Sequence, residues 1–98
     1  MKLGLEGRTA LVMAGSQGIG LASARGFHAA GANVAICARS QEALDKAAAT
    51  MPGCLALRAD VLSADDIARV VSETAARFGT IDVLVNNAGG PPPGLFDT

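Results

Sequence analysis

The chain has 98 residues, of which 50% are hydrophobic and 3% aromatic, and a formal net charge of −1. This length accommodates one domain with a modest core, and the scattered charges exclude the basic surface of a nucleic-acid-binding protein. No apolar run reaches the ~18 residues of a membrane span, and Met1–Glu6 lacks the apolar core of a secretory signal. We therefore expect a cytoplasmic protein that binds neither nucleic acid nor membranes.

Strand and helix patterns alternate from the first apolar segment onward. Thr9–Ala14 is an apolar run that ends at a glycine, which predicts a buried strand. Gly18–Ala30 then predicts a helix that Gly31 ends. One face of this helix would carry Ile19, Ala22, Phe27 and Ala30. Asn33–Ala38 is another apolar run and predicts the second strand.

The second helix and the third strand follow in the same order. Ser40 is a favourable N-cap for a helix that Pro52 and Gly53 end. The apolar side of this helix would carry Leu44, Ala47, Ala48 and Met51. Cys54–Leu57 then predicts a short third strand.

The third helix has the clearest periodicity in the chain. Ser63 and Asp66 resemble a capping box at its start, and Gly79 follows its end. Its core-facing positions, spaced i, i+3, i+4, i+7 and i+11, are Ile67, Val70, Val71, Thr74 and Phe78. Ile81–Val85 predicts a fourth strand, and the Pro/Gly-rich segment beyond it continues neither a strand nor a helix.

This β-α-β-α-β-α-β order predicts an α/β fold. Strands that alternate with helices form parallel sheets through right-handed crossovers, with helices on both faces. We expect a doubly wound, Rossmann-type sheet with the strand order 3-2-1-4.

The turn between the first strand and the first helix is the main candidate binding site. It consists of Ala14, Gly15, Ser16, Gln17, Gly18, Ile19 and Gly20. On its own, a glycine cluster of this kind can also be a tight strand-to-helix turn that binds no ligand. Here a strand precedes it, a helix follows it, and a second strand ends about twenty residues later, which is the context of a dinucleotide-binding turn. Unpaired N–H groups at the start of the helix would then bind a diphosphate, and Ser16 can donate its hydroxyl.

Three motifs in order make the sequence resemble the short-chain dehydrogenase/reductase family. The turn is similar to the T-G-x-x-x-G-x-G pattern of that family and ends in Gly18-Ile19-Gly20. Asp60-Val61 resembles the D-V pair that contacts adenine, and Asn86-Asn87-Ala88-Gly89 resembles the N-N-A-G signature. The resemblance covers nearly the whole chain. Within the family, the sequence is similar to bacterial 3-oxoacyl-carrier-protein reductases. It implies a carbonyl or alcohol substrate for the intact parent protein, and we expect that protein to be a homo-oligomer.

The turn departs from the family pattern at its start. Met13 and Ala14 stand where the family usually has Thr and Gly. If that position needs a positive φ, the Cβ of alanine would cost on the order of 1 kcal/mol. We expect Gly15, the next residue, to take up this backbone strain instead.

The end of the second strand predicts the cofactor. A carboxylate there would bind the ribose 2′-hydroxyl of NAD and repel the 2′-phosphate of NADP. This chain has Ala38, followed by Arg39 and Ser40, and a guanidinium can bind a phosphate through two parallel hydrogen bonds. The alternative is that Arg39 is an ordinary solvated arginine. Gln17 replaces the arginine that some NADP-using relatives carry. We expect NADP(H), with NAD(H) as the less favoured cofactor.

Other polar residues have roles that the resemblance implies. Asp60 would accept a hydrogen bond from adenine, with Val61 supplying its backbone, although Asp60 can alternatively be a residue that leads into the third helix. By the resemblance, Asn87, Ala88 and Gly89 would pass beneath the nicotinamide ribose.

The remaining reactive side chains suggest no metal site. Cys37 and Cys54 lie in apolar segments without CxxC spacing, which favours two reduced thiols over a disulfide or a metal centre. His28, the single histidine, lies inside the first helix and is expected at the surface. The carboxylates Asp65, Asp66 and Glu73 are expected on an exposed helix face.

The catalytic groups of the resembled family are not identified in this sequence. That family uses a tyrosine as proton donor, with a serine and a lysine, and this sequence has no tyrosine. We expect Ser, Tyr and Lys beyond Thr98, so that residues 1–98 would be the NADP(H)-binding N-terminal part of a longer oxidoreductase, incomplete relative to the family. The alternatives are a stand-alone nucleotide-binding module without catalysis and a structural subunit whose turn is vestigial.

Overall fold

Strands and helices alternate as expected. The structure, a computed structural model, describes residues 4–14 and 18–86. Its elements in chain order are β1 (Thr9–Met13), α1 (Gly18–Ala29), β2 (Asn33–Ala38), α2 (Gln41–Ala49), β3 (Leu55–Arg58), α3 (Ala64–Phe78) and β4 (Val83–Asn86). The β-α-β-α-β-α-β order is therefore confirmed.

The four strands form one parallel sheet in the order β3-β2-β1-β4, which confirms the Rossmann-type prediction. Met13 is in register with Cys37 of β2 and with Asn86 of β4, and Ala38 is in register with Arg58 of β3. Because all four strands run in the same direction, their carboxyl ends lie along one edge of the sheet. The candidate binding residues follow these carboxyl ends.

The core lies on both faces of the sheet. One cluster contains Val12, Ile36 and Leu44 and lies beneath α1 and α2, and the other contains Leu11, Cys37 and Val70 and lies beneath α3. All five residues of β1 are buried, because helices cover both sides of this central strand. The same double coverage explains why β1 and β2 are continuous apolar runs instead of alternating ones.

Predicted boundaries shift by one or two residues in five elements, and β1 and α1 each end one residue earlier than predicted, at Met13 and Ala29. Cys54 lies before β3, because its N–H still donates to the Met51 carbonyl (3.0 Å) in the preceding turn. β4 begins at Val83 instead of Ile81, because its pairing with β1 starts there, with Ala10. α2 ends at Ala49, and Met51 is buried just beyond it.

The buried face of α1 differs in part from the predicted one, although Phe27 packs against the core as predicted. Ile19 is 77% exposed and Ala22 is also exposed, whereas Gly20 and Ala24 are the buried residues of this helix. Side chains this small allow the helix to approach the sheet closely, so the contact forms along the i, i+4 row of Gly20 and Ala24. In α3 the predicted face is largely confirmed, with Val70 and Thr74 buried, although Val71 is 38% exposed.

Candidate functional site

The carboxyl edge of the sheet brings together the described candidate residues. Ala14 and the first turn of α1 follow β1, Arg39 follows β2, and Asp60 and Val61 follow β3. The other candidates, namely Gly15, Ser16, Gln17, Asn87, Ala88 and Gly89, lie outside the described residues.

Ala14 itself takes the left-handed backbone conformation at the end of β1. Its φ is 61°, and no other non-glycine residue in the described ranges has a positive φ. The expectation that Gly15 would spare Ala14 this strain was wrong. The chain turns immediately after Met13, the last residue of β1, so the positive φ falls on the first residue beyond the strand. For an L-residue this conformation costs about 1–2 kcal/mol relative to a right-handed one.

The start of α1 is suited to an anion. Gly18 has a φ of 58°, and a Cβ added there would meet no atom within 4 Å. Glycine is therefore favoured at this position by the backbone conformation and not by a lack of room for a side chain. The first turn of α1 contains no acidic residue that would oppose an anion. The first N–H groups of a helix lack partners within it and carry the positive end of its dipole.

A cavity of about 380 Å³ lies at the ends of β2 and β3. Its lining comes from the residue after β2, from the end of β3 and the loop that follows, and from the first turns of α3. The lining residues are Arg39, Arg58, Ala59, Asp60, Asp66 and Arg69. The cavity therefore contains three guanidinium groups and two carboxylates.

Arginine side chains link the elements around this cavity. The Nε–H of Arg58 donates to the Arg39 carbonyl (3.1 Å), which ties the end of β3 to the residue after β2. Arg69 of α3 donates in turn to the carbonyl of Arg58. The Ala59 N–H donates to the Ala38 carbonyl (2.9 Å) and extends the pairing of β2 and β3 to the cavity.

The loop between β3 and α3 is held by two aspartates. Asp60 Oδ1 accepts from the Leu62 N–H (2.9 Å), and Asp66 Oδ2 accepts from the Asp60 N–H (2.8 Å). Ser63 caps α3 by accepting from the Asp66 N–H (3.2 Å). The predicted capping box is thus formed by half, because the Asp66 carboxylate binds Asp60 and not Ser63. Asp66 is also less exposed than predicted, since this contact half-buries it.

The two expected roles of Asp60 are compatible in this geometry. One hydrogen bond from Leu62 engages Oδ1, and an ionised carboxylate can accept several more. Asp60 thus supports the loop while it lines the cavity. The partly buried side chain of Val61 packs against the core cluster beneath α3.

The charges of the three arginines are not balanced equally. Arg69 pairs with Glu73 (3.0 Å) and Asp66 (3.9 Å) along α3. Within residues 4–14 and 18–86, the guanidinium of Arg39 has no hydrogen-bond or ion-pair partner, and that of Arg58 has only the carbonyl of Arg39. Two exposed cations that have no carboxylate partner in these ranges therefore line one cavity.

Sequence reasoning missed three charged residues of this cavity. Arg58 was outside the predicted third strand, although a basic residue at the carboxyl end of a parallel strand is a signal for a ligand site. Arg69 and Asp66 were assigned to a solvated helix face or left out. Only the packing of α3 across the sheet brings them to the ends of β2 and β3.

The cysteines and the histidine lie apart from any metal-binding arrangement. Burial raises the pKa of the Cys37 thiol, which the backbone of Ala14 and the charge of Arg69 partly oppose. Burial also raises the pKa of Cys54 to about 11, and both cysteines are free thiols. His28 Nε2 is 2.9 Å from the Pro52 carbonyl. Among the described residues, no three His, Cys, Asp or Glu side chains could jointly hold a metal ion, and no helix could span a membrane.

The family comparison matches almost the whole chain. The sequence profile of the short chain dehydrogenase family matches residues 8–98. L-fucose dehydrogenase of Bos taurus is 39% identical over 87 residues, which are 89% of this chain and 32% of that protein.

Solved structures give the same result. A short chain dehydrogenase from Bacillus anthracis superposes with a TM-score of 0.83 and 34% identity over 88% of this chain and 36% of that one. A variant of actinorhodin polyketide ketoreductase with NADPH gives a TM-score of 0.82 and 35% identity over 93% of this chain and 36% of that one. The chain thus spans about a third of the length of these relatives.

Proposed function

Because this chain belongs to the short-chain dehydrogenase family, we propose that residues 1–98 form the NADP(H)-binding part of a short-chain oxidoreductase. The observation that carries this proposal is the cavity at the ends of β2 and β3. Arg39 lines it without a guanidinium partner among the described residues, and the strand before it ends in Ala38 instead of a carboxylate. An acidic residue at that position is the feature that favours NAD.

The electrostatics of the cavity support a phosphate ligand. A free guanidinium offers parallel N–H donors that match the oxygens of a phosphate, and each charge-assisted hydrogen bond contributes about 1.5–3 kcal/mol. NAD has a hydroxyl in place of the 2′-phosphate, so Arg39 would contribute much less to its binding free energy. The preference for NADP(H) thus follows from the 2′-phosphate, which NAD lacks, and from the Arg39 guanidinium, which has no partner among the described residues.

The other parts of the cofactor have candidate partners along the same edge. The diphosphate would bind the turn Ala14–Gly20 and the first N–H groups of α1. The adenine amino group would donate to the second carboxylate oxygen of Asp60, and the backbone of Val61 would also contact the adenine. Asn87, Ala88 and Gly89 are proposed to lie beneath the nicotinamide ribose. When bound, the nicotinamide supplies or accepts a hydride.

The complete protein is proposed to act on a carbonyl or alcohol. The similar proteins include an L-fucose dehydrogenase and a polyketide ketoreductase with NADPH, and both names describe interconversion at such a carbon. This sequence contains no tyrosine, so the serine, tyrosine and lysine that the reaction needs are proposed to lie beyond Thr98. A cytoplasmic homo-oligomer remains our expectation for the intact parent protein.

Replacing Arg39 tests this proposal directly. In the protein that carries this sequence, Arg39→Asp should reverse the cofactor preference, because the carboxylate repels a 2′-phosphate and accepts from a 2′-hydroxyl. Calorimetric dissociation constants of NADPH and NADH measure this preference. Arg25→Asp is the matched control, since Arg25 is an exposed arginine of α1 whose only described bond is to Thr50 Oγ1 (3.4 Å). An unchanged ratio of the two constants in Arg39→Asp would contradict the proposal.

A further inference from the structure

Arg58, at the carboxyl end of β3, has a guanidinium group to which the proposed function assigns no role. Its Nε–H donates to the Arg39 carbonyl (3.1 Å), whereas its two terminal NH₂ groups have no partner among the described residues. It lines the same cavity as Arg39 and is exposed. The guanidinium of Arg58 is therefore held at Nε, and its two terminal nitrogens have no partner in the described part of the chain.

We propose that Arg58 is a second ligand of the cofactor 2′-phosphate and a determinant of cofactor specificity. This inference rests on the proposed NADP(H) site and adds a residue from a different strand to it. Gln17 stands where some NADP-using relatives carry an arginine, so that cation is absent from the Gly-rich turn. In this chain Arg58 supplies a second cation from β3 instead.

The register of the sheet explains why Arg58 can act with Arg39. Ala38 and Arg58 are directly paired in the parallel ladder, so the residue after β2 and the last residue of β3 are adjacent at the carboxyl edge. The bond between Arg58 Nε and the Arg39 carbonyl also holds the Arg39 backbone in place. The backbone of Arg39 and one nitrogen of Arg58 are thus held at the cavity before any ligand binds, which lowers the ordering cost of binding.

The third arginine of the cavity does not serve this role. Arg69 donates to Glu73 (3.0 Å) and to the Arg58 carbonyl, and it lies 3.9 Å from Asp66. Its charge is offset by the two carboxylates of its own helix. Arg69 therefore supports the backbone of Arg58, and the positive charge that remains in the cavity after Asp60 is counted comes from Arg39 and Arg58.

A double-mutant cycle on the protein that carries this sequence tests the proposal. The variants are Arg58→Gln, Arg39→Gln and the double variant, and Arg25→Gln is the control because Arg25 also donates one Nε bond outside the cavity. Calorimetry gives dissociation constants for NADP⁺, NAD⁺, 2′,5′-ADP and 5′-ADP. Arg58→Gln should raise the dissociation constants of NADP⁺ and 2′,5′-ADP by about tenfold, the equivalent of one charge-assisted hydrogen bond. It should change the dissociation constants of NAD⁺ and 5′-ADP by less than about twofold.

The double variant distinguishes a ligand from a residue that only positions Arg39. If Arg58 binds the phosphate itself, Arg58→Gln still weakens the binding of 2′,5′-ADP in the Arg39→Gln background, although the two losses need not add because both guanidinium groups would share one phosphate. Arg58→Lys, which keeps the charge, should restore part of the lost affinity. A loss that vanishes in the Arg39→Gln background would overturn the proposal.

The remaining outcomes are also decisive. If the wild type prefers NADP⁺ but Arg58→Gln weakens both cofactors equally or neither, the role of Arg58 is refuted and the proposed function stands. If the wild type shows no preference for NADP⁺ over NAD⁺, the proposed cofactor and the role of Arg58 both fail.

Discussion

Ala14 lies at the point where β1 ends and the chain turns toward α1, and its φ of 61° is one that glycine adopts at lower cost. The residue types around it show only that a glycine-rich turn exists. Which residue takes the positive φ depends on where β1 stops pairing, and Met13 is its last paired residue. For this reason the sequence prediction assigned the strain to Gly15, and the structure assigns it to Ala14.

Ala14→Gly should stabilise the fold by about 1 kcal/mol, because the relief of the left-handed strain exceeds the added freedom of the unfolded chain. The free energy of unfolding in urea measures this change. Ala22→Gly is the control, because Ala22 is an exposed residue inside α1, where glycine costs about 1 kcal/mol. Equal destabilisation by both substitutions would show that the backbone at Ala14 is not strained.

Cys54 should make stability depend on pH in the alkaline range. Burial raises its pKa from 9.0 to about 11, so the folded protein holds this proton more tightly than the unfolded chain. The resulting stabilisation is complete below about pH 9 and is lost as the pH rises from about 9 to about 11. Cys54→Ser should show a smaller decline in unfolding free energy over this range. The same decline in both proteins would contradict the raised pKa.

At the scale of elements, the loop between β3 and α3 connects the fold to the candidate site. Ser63 caps α3, and the Asp66 carboxylate binds the Asp60 N–H, so the start of the helix and the cavity wall are one hydrogen-bonded unit. The capping pattern predicted the start of α3 correctly. It did not predict that Asp66 reaches Asp60, because that contact depends on how the loop folds back from β3.

Ser63→Ala should destabilise the protein by about 1 kcal/mol, since the Asp66 N–H loses its hydrogen-bond acceptor. Denaturant-induced unfolding measures the effect. Ser72→Ala is the matched control on the same helix, because Ser72 is exposed within α3 and caps nothing. We expect that substitution to be neutral or slightly stabilising. A Ser63→Ala variant as stable as Ser72→Ala would refute the capping role.

At the scale of the whole molecule, the sequence predicted the architecture more fully than the site. The alternation of strands and helices predicts a parallel sheet with helices on both faces, and the doubly wound pattern predicts the order β3-β2-β1-β4 that the structure has. Arg39 was predicted because it follows the second strand, and Asp60 because Asp60-Val61 resembles the D-V pair of the family. Arg58 and Arg69 were not, since a shifted strand end and the packing of α3 bring them to the cavity. Side chains that meet only through tertiary packing leave no signal at fixed sequence spacing.

The central claim is that the carboxyl edge of this sheet binds NADP(H) in preference to NAD(H). The most direct test is fluorescence titration of the unmodified protein that carries this sequence with NADPH and, separately, with NADH. We predict that NADPH binds at least about tenfold more tightly, because at least one charge-assisted hydrogen bond depends on the 2′-phosphate. Equal dissociation constants, or tighter binding of NADH, would contradict the account.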